Sequence, residues 1–102
     1  MKKITLYIGL NDKDSKIQEI NTVDAYKIVT NVFTEATGGA TIYEGRGVYT
    51  HNNGEIVQET TLICIVYDAD ISTVKRAADF LKVALNQESI AIETAEINSE
   101  FY

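Results

Sequence analysis

Apolar and polar residues alternate from Lys3 to Leu10, with Ile4, Leu6, Ile8 and Leu10 on one side and Lys3, Thr5, Tyr7 and Gly9 on the other. This period of two predicts a half-buried strand. The alternation lapses over Asn11 to Ile20, a polar stretch of mixed charge that reads as a surface connection. From Thr22 the apolar positions return at helical spacing: Ala25, Ile28, Val29, Val32, Phe33 and Ala36 form a stripe, with Asp24, Lys27, Thr30, Asn31 and Glu35 largely opposite. Asn21 is placed to cap this helix and Asp24 to return the hydrogen bond, while Gly38-Gly39 can end it in the left-handed conformation.

Ala40 to Tyr49 reads as a strand weakened by Gly45 and Gly47, and Glu55 to Tyr67 as a long β-rich strand. His51-Asn52-Asn53-Gly54 lies between them, and its Asn-Gly step signals a hairpin with a type I′ turn. The second arm exceeds the usual strand length, so the tip is expected to project beyond the sheet. Ile71, Val74, Ala77, Ala78, Leu81, Ala84 and Leu85 trace a second helix, with Lys75, Asp79 and Lys82 spaced for ion pairs on its exposed side. Asn86-Gln87-Glu88 closes that helix, and Ser89 to Ile97 reads as the last strand. The order β-α-β-β-α-β with right-handed crossovers predicts an α+β, ferredoxin-like sandwich, a four-stranded antiparallel sheet carrying two helices on one face. Residues 1–102 are expected to form a single ferredoxin-like domain.

Composition narrows the partners. With 45% hydrophobic and 24% charged residues the chain is ordinary for a globular protein. Its longest apolar run, Leu62 to Val66, is far short of the roughly 20 residues that span a bilayer. Met1-Lys2-Lys3 passes straight into the alternating strand, without the apolar core of a secretory signal, so a cytoplasmic location and no membrane partner are expected. A formal net charge of −6 disfavours a phosphate backbone, hence no nucleic acid. Cys64 is the one cysteine and sits in the most apolar run, as a buried thiol would.

Candidate chemistry is sparse. His51 belongs to the hairpin turn and its neighbours Asn52 and Asn53 are poor metal ligands. Asp12 and Asp14 begin like a calcium loop, but Ile17 and Val23 stand where the turn glycine and the bidentate glutamate belong. Gly45-Arg46-Gly47 lies inside a strand and joins no helix, so it reads as a bulge or a close backbone approach and not as a phosphate loop. No metal and no cofactor is therefore expected. Arg46, Glu59, Glu88 and Glu93 are charged residues within or at the ends of strands, where a Glu–Arg pair could orient a ligand or move a proton. Tyr7, Tyr43, Tyr49 and Tyr67 can share the sheet face opposite the helices with Val57, Ile63 and Ile65. Such an apolar face marks an interface, and self-association as a dimer or trimer is the simplest way to cover it.

Leu6-Tyr7-Ile8-Gly9-Leu10 near the start, the glycine-containing hairpin from Gly45 to Gly54, and Gln87-Glu88-Ser89-Ile90 before the last strand carry a resemblance. On these segments the chain resembles a small family of uncharacterised bacterial and phage-borne proteins, which implies no known activity. Its layout is also similar to the PII-like signalling proteins and the divalent-cation-tolerance protein CutA, through Ile42-Tyr43, Glu59-Thr60-Thr61-Leu62 and a glutamate before the last strand. That second resemblance implies ferredoxin-like trimers with ligands in subunit clefts. The cysteine and histidine motifs of CutA and the basic phosphate contacts of PII are missing here, which argues against metal and nucleotide binding. The expected function is a non-enzymatic oligomeric module for a small molecule or a protein partner, with Tyr7, Arg46, Tyr49, Glu59, Gln87, Glu88 and Ser89 as ligand-binding candidates. The alternatives are a small ferredoxin-like enzyme with acid/base residues in a cleft, marked by a buried Glu or Tyr, and an acidic inhibitor from a mobile element.

Overall fold

The alternation at the N-terminus becomes β1 (Lys2–Gly9), and the helical stripe that follows becomes α1 (Thr22–Thr37). The computed structural model describes residues 1–102. The hairpin is β2 (Thr41–Thr50) and β3 (Ile56–Tyr67), the second helix is α2 (Ile71–Ala84), and the last strand is β4 (Ala91–Glu96). All pairings are antiparallel and the strand order is β2-β3-β1-β4, which leaves β2 and β4 at the edges. This is the ferredoxin-like α+β arrangement that the element order implies.

Even-numbered residues of the two central strands face the helices. Ile4, Leu6, Ile8, Leu62, Cys64 and Val66 pack against Ala25, Val29 and Phe33 of α1 and Val74, Ala77, Ala78 and Leu81 of α2 in one hydrophobic cluster. Each aliphatic side chain so buried contributes about 1.5–3 kcal/mol relative to exposure. Odd-numbered residues of the strands face away, so the tyrosines at 7, 43, 49 and 67 do share the open face. No helix is long and apolar enough to cross a membrane.

The caps form as the sequence implies. Asn21 Oδ1 accepts the Asp24 N–H at 2.9 Å, and the return bond comes from the Asn21 amide to Asp24 Oδ2 at 2.9 Å. Gly38 ends α1 at φ 80°. Asp70 caps α2, accepting both the Ser72 N–H at 2.8 Å and the Ser72 hydroxyl at 2.7 Å. Of the ion pairs suggested on α2, Lys82 meets Asp79 at 3.3 Å and Lys75 meets no carboxylate.

Several local expectations need correction. In the hairpin turn only Gly54 has positive φ, at 84°, while Asn53 does not. The Gly54 N–H donates to the His51 carbonyl at 2.9 Å and the His51 N–H to the Glu55 carbonyl at 2.8 Å. The turn is thus of the longer kind that ends on a left-handed glycine, because three residues, Asn52 to Gly54, lie between the bonded His51 and Glu55 where type I′ allows two. Gly45 and Gly47 mark no bulge: the β2–β3 register runs unbroken from Thr41↔Ile65 to Thr50↔Ile56. They make room for side chains, since a Cβ on Gly45 would meet Ile63 Cδ1 at 2.7 Å and one on Gly47 would meet Thr61 Oγ1 at 3.0 Å. The connection after β1 is partly ordered by an Asn11↔Gln18 bridge. The last strand starts at Ala91 and not at Ser89, which leaves Gln87 to Ile90 as a link across the end of β1. Because β1 pairs only as far as Gly9↔Thr61 while β2 and β3 continue to Thr50↔Ile56, the hairpin projects, and the molecule measures 46 × 24 × 23 Å.

Candidate functional site

Where β1 ends, three segments converge. The chain beyond Gly9 turns into the Asn11–Gln18 loop, the link after α2 passes beside it, and the projecting hairpin stands behind both. Tyr49, Glu59, Gln87, Glu88 and Ser89 line one cleft of about 280 Å³ there, together with Asn11, Asp12, Lys13 and Lys16.

Glu59 sits on the open-face side of β3, opposite Gly47 on β2, and its carboxylate lies back over Gly9 of β1. A Cβ on Gly9 would come within 2.6 Å of the carboxylate carbon, and one on Gly47 within 3.5 Å of Glu59 Cγ. Gly9 therefore clears the space that this carboxylate occupies, whereas the contact from Gly47 would be an ordinary one. The Asn11 N–H donates to Glu59 Oε2 at 3.1 Å, which fixes one oxygen and leaves Oε1 without a protein donor. Glu59 is partly buried and takes part in no ion pair.

The walls are braced from within. Gln87, only 9% exposed, donates its amide to the Asn11 carbonyl at 2.8 Å and to the Leu85 carbonyl at 3.2 Å, so it positions the loop more than it offers donors to a ligand. The Asn86 amide donates to Asp12 Oδ1 at 2.9 Å and Asp14 Oδ2 at 2.8 Å, tying the loop to the end of α2. Asp12 Oδ2 accepts the N–H groups of Asp14 and Ser15. The Asn86 bond, then these two N–H groups, hold the Asp12 carboxyl below the usual carboxylate range. Tyr49 presents its ring to the cleft and meets His51 edge-on with centroids 5.4 Å apart, which gives the turn histidine a packing role. No group of His, Cys, Asp and Glu side chains is arranged to hold a metal ion. Burial pushes the Cys64 thiol up to about 12, so it carries no thiolate at neutral pH.

Tyr7 and Arg46 lie elsewhere. Tyr7, between Ile63 and Ala91 on the open face, donates its hydroxyl to Glu93 Oε1 at 2.8 Å. That bond, followed by desolvation and the Glu93 charge, raises its pKa above the ordinary tyrosine value. Arg46 is exposed and makes no ion pair. It lies opposite Thr60 on the other side of the sheet from Glu59, so the Glu–Arg pair that the sequence suggests does not form, because strand alternation separates them. Gly9, Asn11 and Lys16 are cleft elements that sequence reasoning passes over. The available signal is a glycine in the middle of an alternating strand, and its meaning depends on Glu59 being folded over it.

The cleft thus combines the carboxylates of Asp12, Glu59 and Glu88 with the ammonium groups of Lys13 and Lys16 and one aromatic ring. This suits a small ligand that carries both signs of charge and a flat ring. No family model matches the chain, and no curated protein matches it in sequence. Among solved structures, it is similar to a phage SAM lyase in complex with S-methyl-5′-thioadenosine, at 22% identity over 99% of this chain and 92% of that chain with a TM-score of 0.71. A phage SAM lyase in the apo state gives 23% identity and a TM-score of 0.72 over 99% of this chain and 91% of that one. The divalent ion tolerance protein CutA1 from Ehrlichia chaffeensis is similar at 20% identity over 97% of this chain and 84% of that one, with a TM-score of 0.56. These likenesses establish a shared fold, and the layout is that of the CutA proteins as the sequence suggests.

Proposed function

We propose that this chain is a lyase that splits S-adenosylmethionine at the bond between sulfur and the methionine γ-carbon, releasing S-methyl-5′-thioadenosine from the cleft around Glu59. The observation that carries the reading is the Glu59 carboxylate, given room by Gly9 and left with one oxygen free in a cleft of mixed charge. Glu59 is partly buried and so falls short of the buried acid that would mark an enzyme by itself; its placement over Gly9 and its free oxygen are what favour this reading. The likeness to the phage lyase over nearly the whole of both chains supports this choice of substrate.

The chemistry asks little of the protein's acids and bases. The sulfonium leaves as a neutral thioether, taking the carbon–sulfur electron pair, and the methionine carboxylate closes on the γ-carbon as a five-membered lactone. One net positive charge enters on the substrate and one leaves on the lactone's ammonium, so no proton moves. What the site must do is fold the methionine chain so that its carboxylate reaches the γ-carbon opposite sulfur, and keep competing water away. Glu59 Oε1 accepts from a donor group of the ligand and anchors it, while the Tyr49 ring flanks the adenine. The chain acts in this reading as one domain and covers its tyrosine face by self-association, as a dimer or trimer.

Chromatography of S-adenosylmethionine incubated with the purified protein tests the function. Accumulation of S-methyl-5′-thioadenosine is expected, and Glu59→Gln, which keeps the acceptor for Asn11, is expected to lower kcat/KM by about 100-fold or more, since it removes one charged anchor. Intact substrate with the wild-type protein would overturn the reading. The exposed tyrosine face favours a second one, a binding module without catalysis, and product binding without turnover would select it.

A further inference from the structure

Lys16 has φ 67°, a left-handed conformation that favours glycine and is rare for a lysine. The other non-glycine residues with positive φ are Asp68 and Asn86, and each is held by hydrogen bonds to distant parts of the chain. Asp68 exchanges two bonds with the Lys2 backbone, and the Asn86 amide holds Asp12 and Asp14. Lys16 is held by its turn, as the last residue of a four-residue loop that the Asp12 N–H closes on the Ile17 carbonyl at 2.8 Å beside the Asn11↔Gln18 bridge. Its N–H bonds the Asp12 carbonyl at 2.9 Å, but its side chain makes no hydrogen bond and no ion pair. That side chain lines the Glu59 cleft, and the loop bearing it is pinned from behind by Asn86 and Gln87. The closed turn thus fixes the backbone from which the Lys16 side chain reaches the cleft.

We infer that Lys16 recognises the carboxylate at the amino-acid end of the substrate, and so makes the cleft prefer adenosyl ligands that carry an amino acid over those that carry only a thioether. This rests on the proposed lyase reading and deepens it. Of the charged groups on the cleft, Glu59 offers an anion with a free oxygen and Lys16 a cation without a carboxylate partner, the two signs that an amino-acid zwitterion requires. The two ends of the reaction differ in that very group: the substrate has the zwitterion and S-methyl-5′-thioadenosine has lost it. A site that grips the carboxylate through Lys16 therefore loosens its hold once the carbon–sulfur bond is broken, which favours product release.

Titration calorimetry with two unreactive probes tests this. S-Adenosylhomocysteine keeps the amino-acid end and S-methyl-5′-thioadenosine lacks it. Lys16→Gly suits the left-handed backbone, so it is expected to unfold at no lower temperature than the wild type. It is expected to weaken S-adenosylhomocysteine about 10- to 30-fold and S-methyl-5′-thioadenosine less than about 2-fold, while Lys16→Arg restores the first to within about 3-fold. Equal losses for both probes, or no loss for either, would overturn the role of Lys16 and leave the lyase reading standing. A wild-type protein that binds neither probe would overturn both.

Discussion

Gly9 passes beneath the Glu59 carboxylate with no room for a methyl group, and what such a methyl group would strike is the far end of a flexible side chain. Gly9→Ala is therefore expected to push Glu59 out of place without unfolding the sheet. The cost of displacing Glu59 is offset by the better backbone propensity of alanine, so the stability change should stay within about 1 kcal/mol in urea titration. Turnover of S-adenosylmethionine should fall at least about 10-fold, because a misplaced anchor no longer holds the reacting geometry. A variant with full activity would show that the position of Glu59 does not matter. At this scale the sequence is legible in part. Glu59 and Glu88 stand out as charged residues in or beside strands, and Tyr49 as a tyrosine on the right side of its strand. Gly9, Asn11 and Lys16 do not stand out, since their roles arise from contacts such as that between Asn11 and Glu59, 48 residues apart. Arg46 misleads for the opposite reason: the hairpin register brings it beside Glu59, opposite Thr60, but on the other face of the sheet.

Elements form where apolar period and capping residues agree, which is why α1, α2 and the central strands are readable in advance. The turn at His51–Gly54 is less so, because Asn-Gly serves turns of more than one length and the number of intervening residues decides between them. The cap of α2 gives a pH-dependent test. The Ser72 hydroxyl, then the Ser72 N–H, lower the Asp70 pKa below the ordinary value of 3.8. A carboxyl lowered on folding contributes stability that is fully present above its unfolded value near 3.8 and is lost as pH falls through the lower folded value. Asp70→Asn keeps a capping oxygen but cannot ionise. The wild type is expected to be the more stable at pH 7, with the difference narrowing below about pH 4 in urea titrations. A difference that holds constant down to pH 2 would mean that the charge on Asp70 contributes nothing to the cap.

Across the whole molecule, one face of the sheet is covered by helices and the other carries Tyr7, Tyr43 and Tyr67 at 39%, 51% and 38% exposure around Ile63 and Ile65. Phe101 reaches only the margin of that face, edge-on to Tyr67 with centroids 6.2 Å apart. Light scattering during size exclusion is expected to give a multiple of 11.3 kDa, and Ile65→Asp, placing a charge in the middle of the face, to give the monomer. A wild-type mass of 11.3 kDa would leave the face open to a different partner. The existence of this face is legible from a four-stranded sheet with both helices on one side, whereas the cleft is not, because it is built from the ends of elements and a loop that lacks period. Proton NMR of S-adenosylmethionine during incubation with the protein tests the central claim most directly. Loss of the sulfonium methyl signal, matched one for one by the thioether methyl of S-methyl-5′-thioadenosine and by a four-carbon aminolactone, is the expected result. Unchanged substrate, or a product that keeps the adenosyl and amino-acid parts joined, would contradict it.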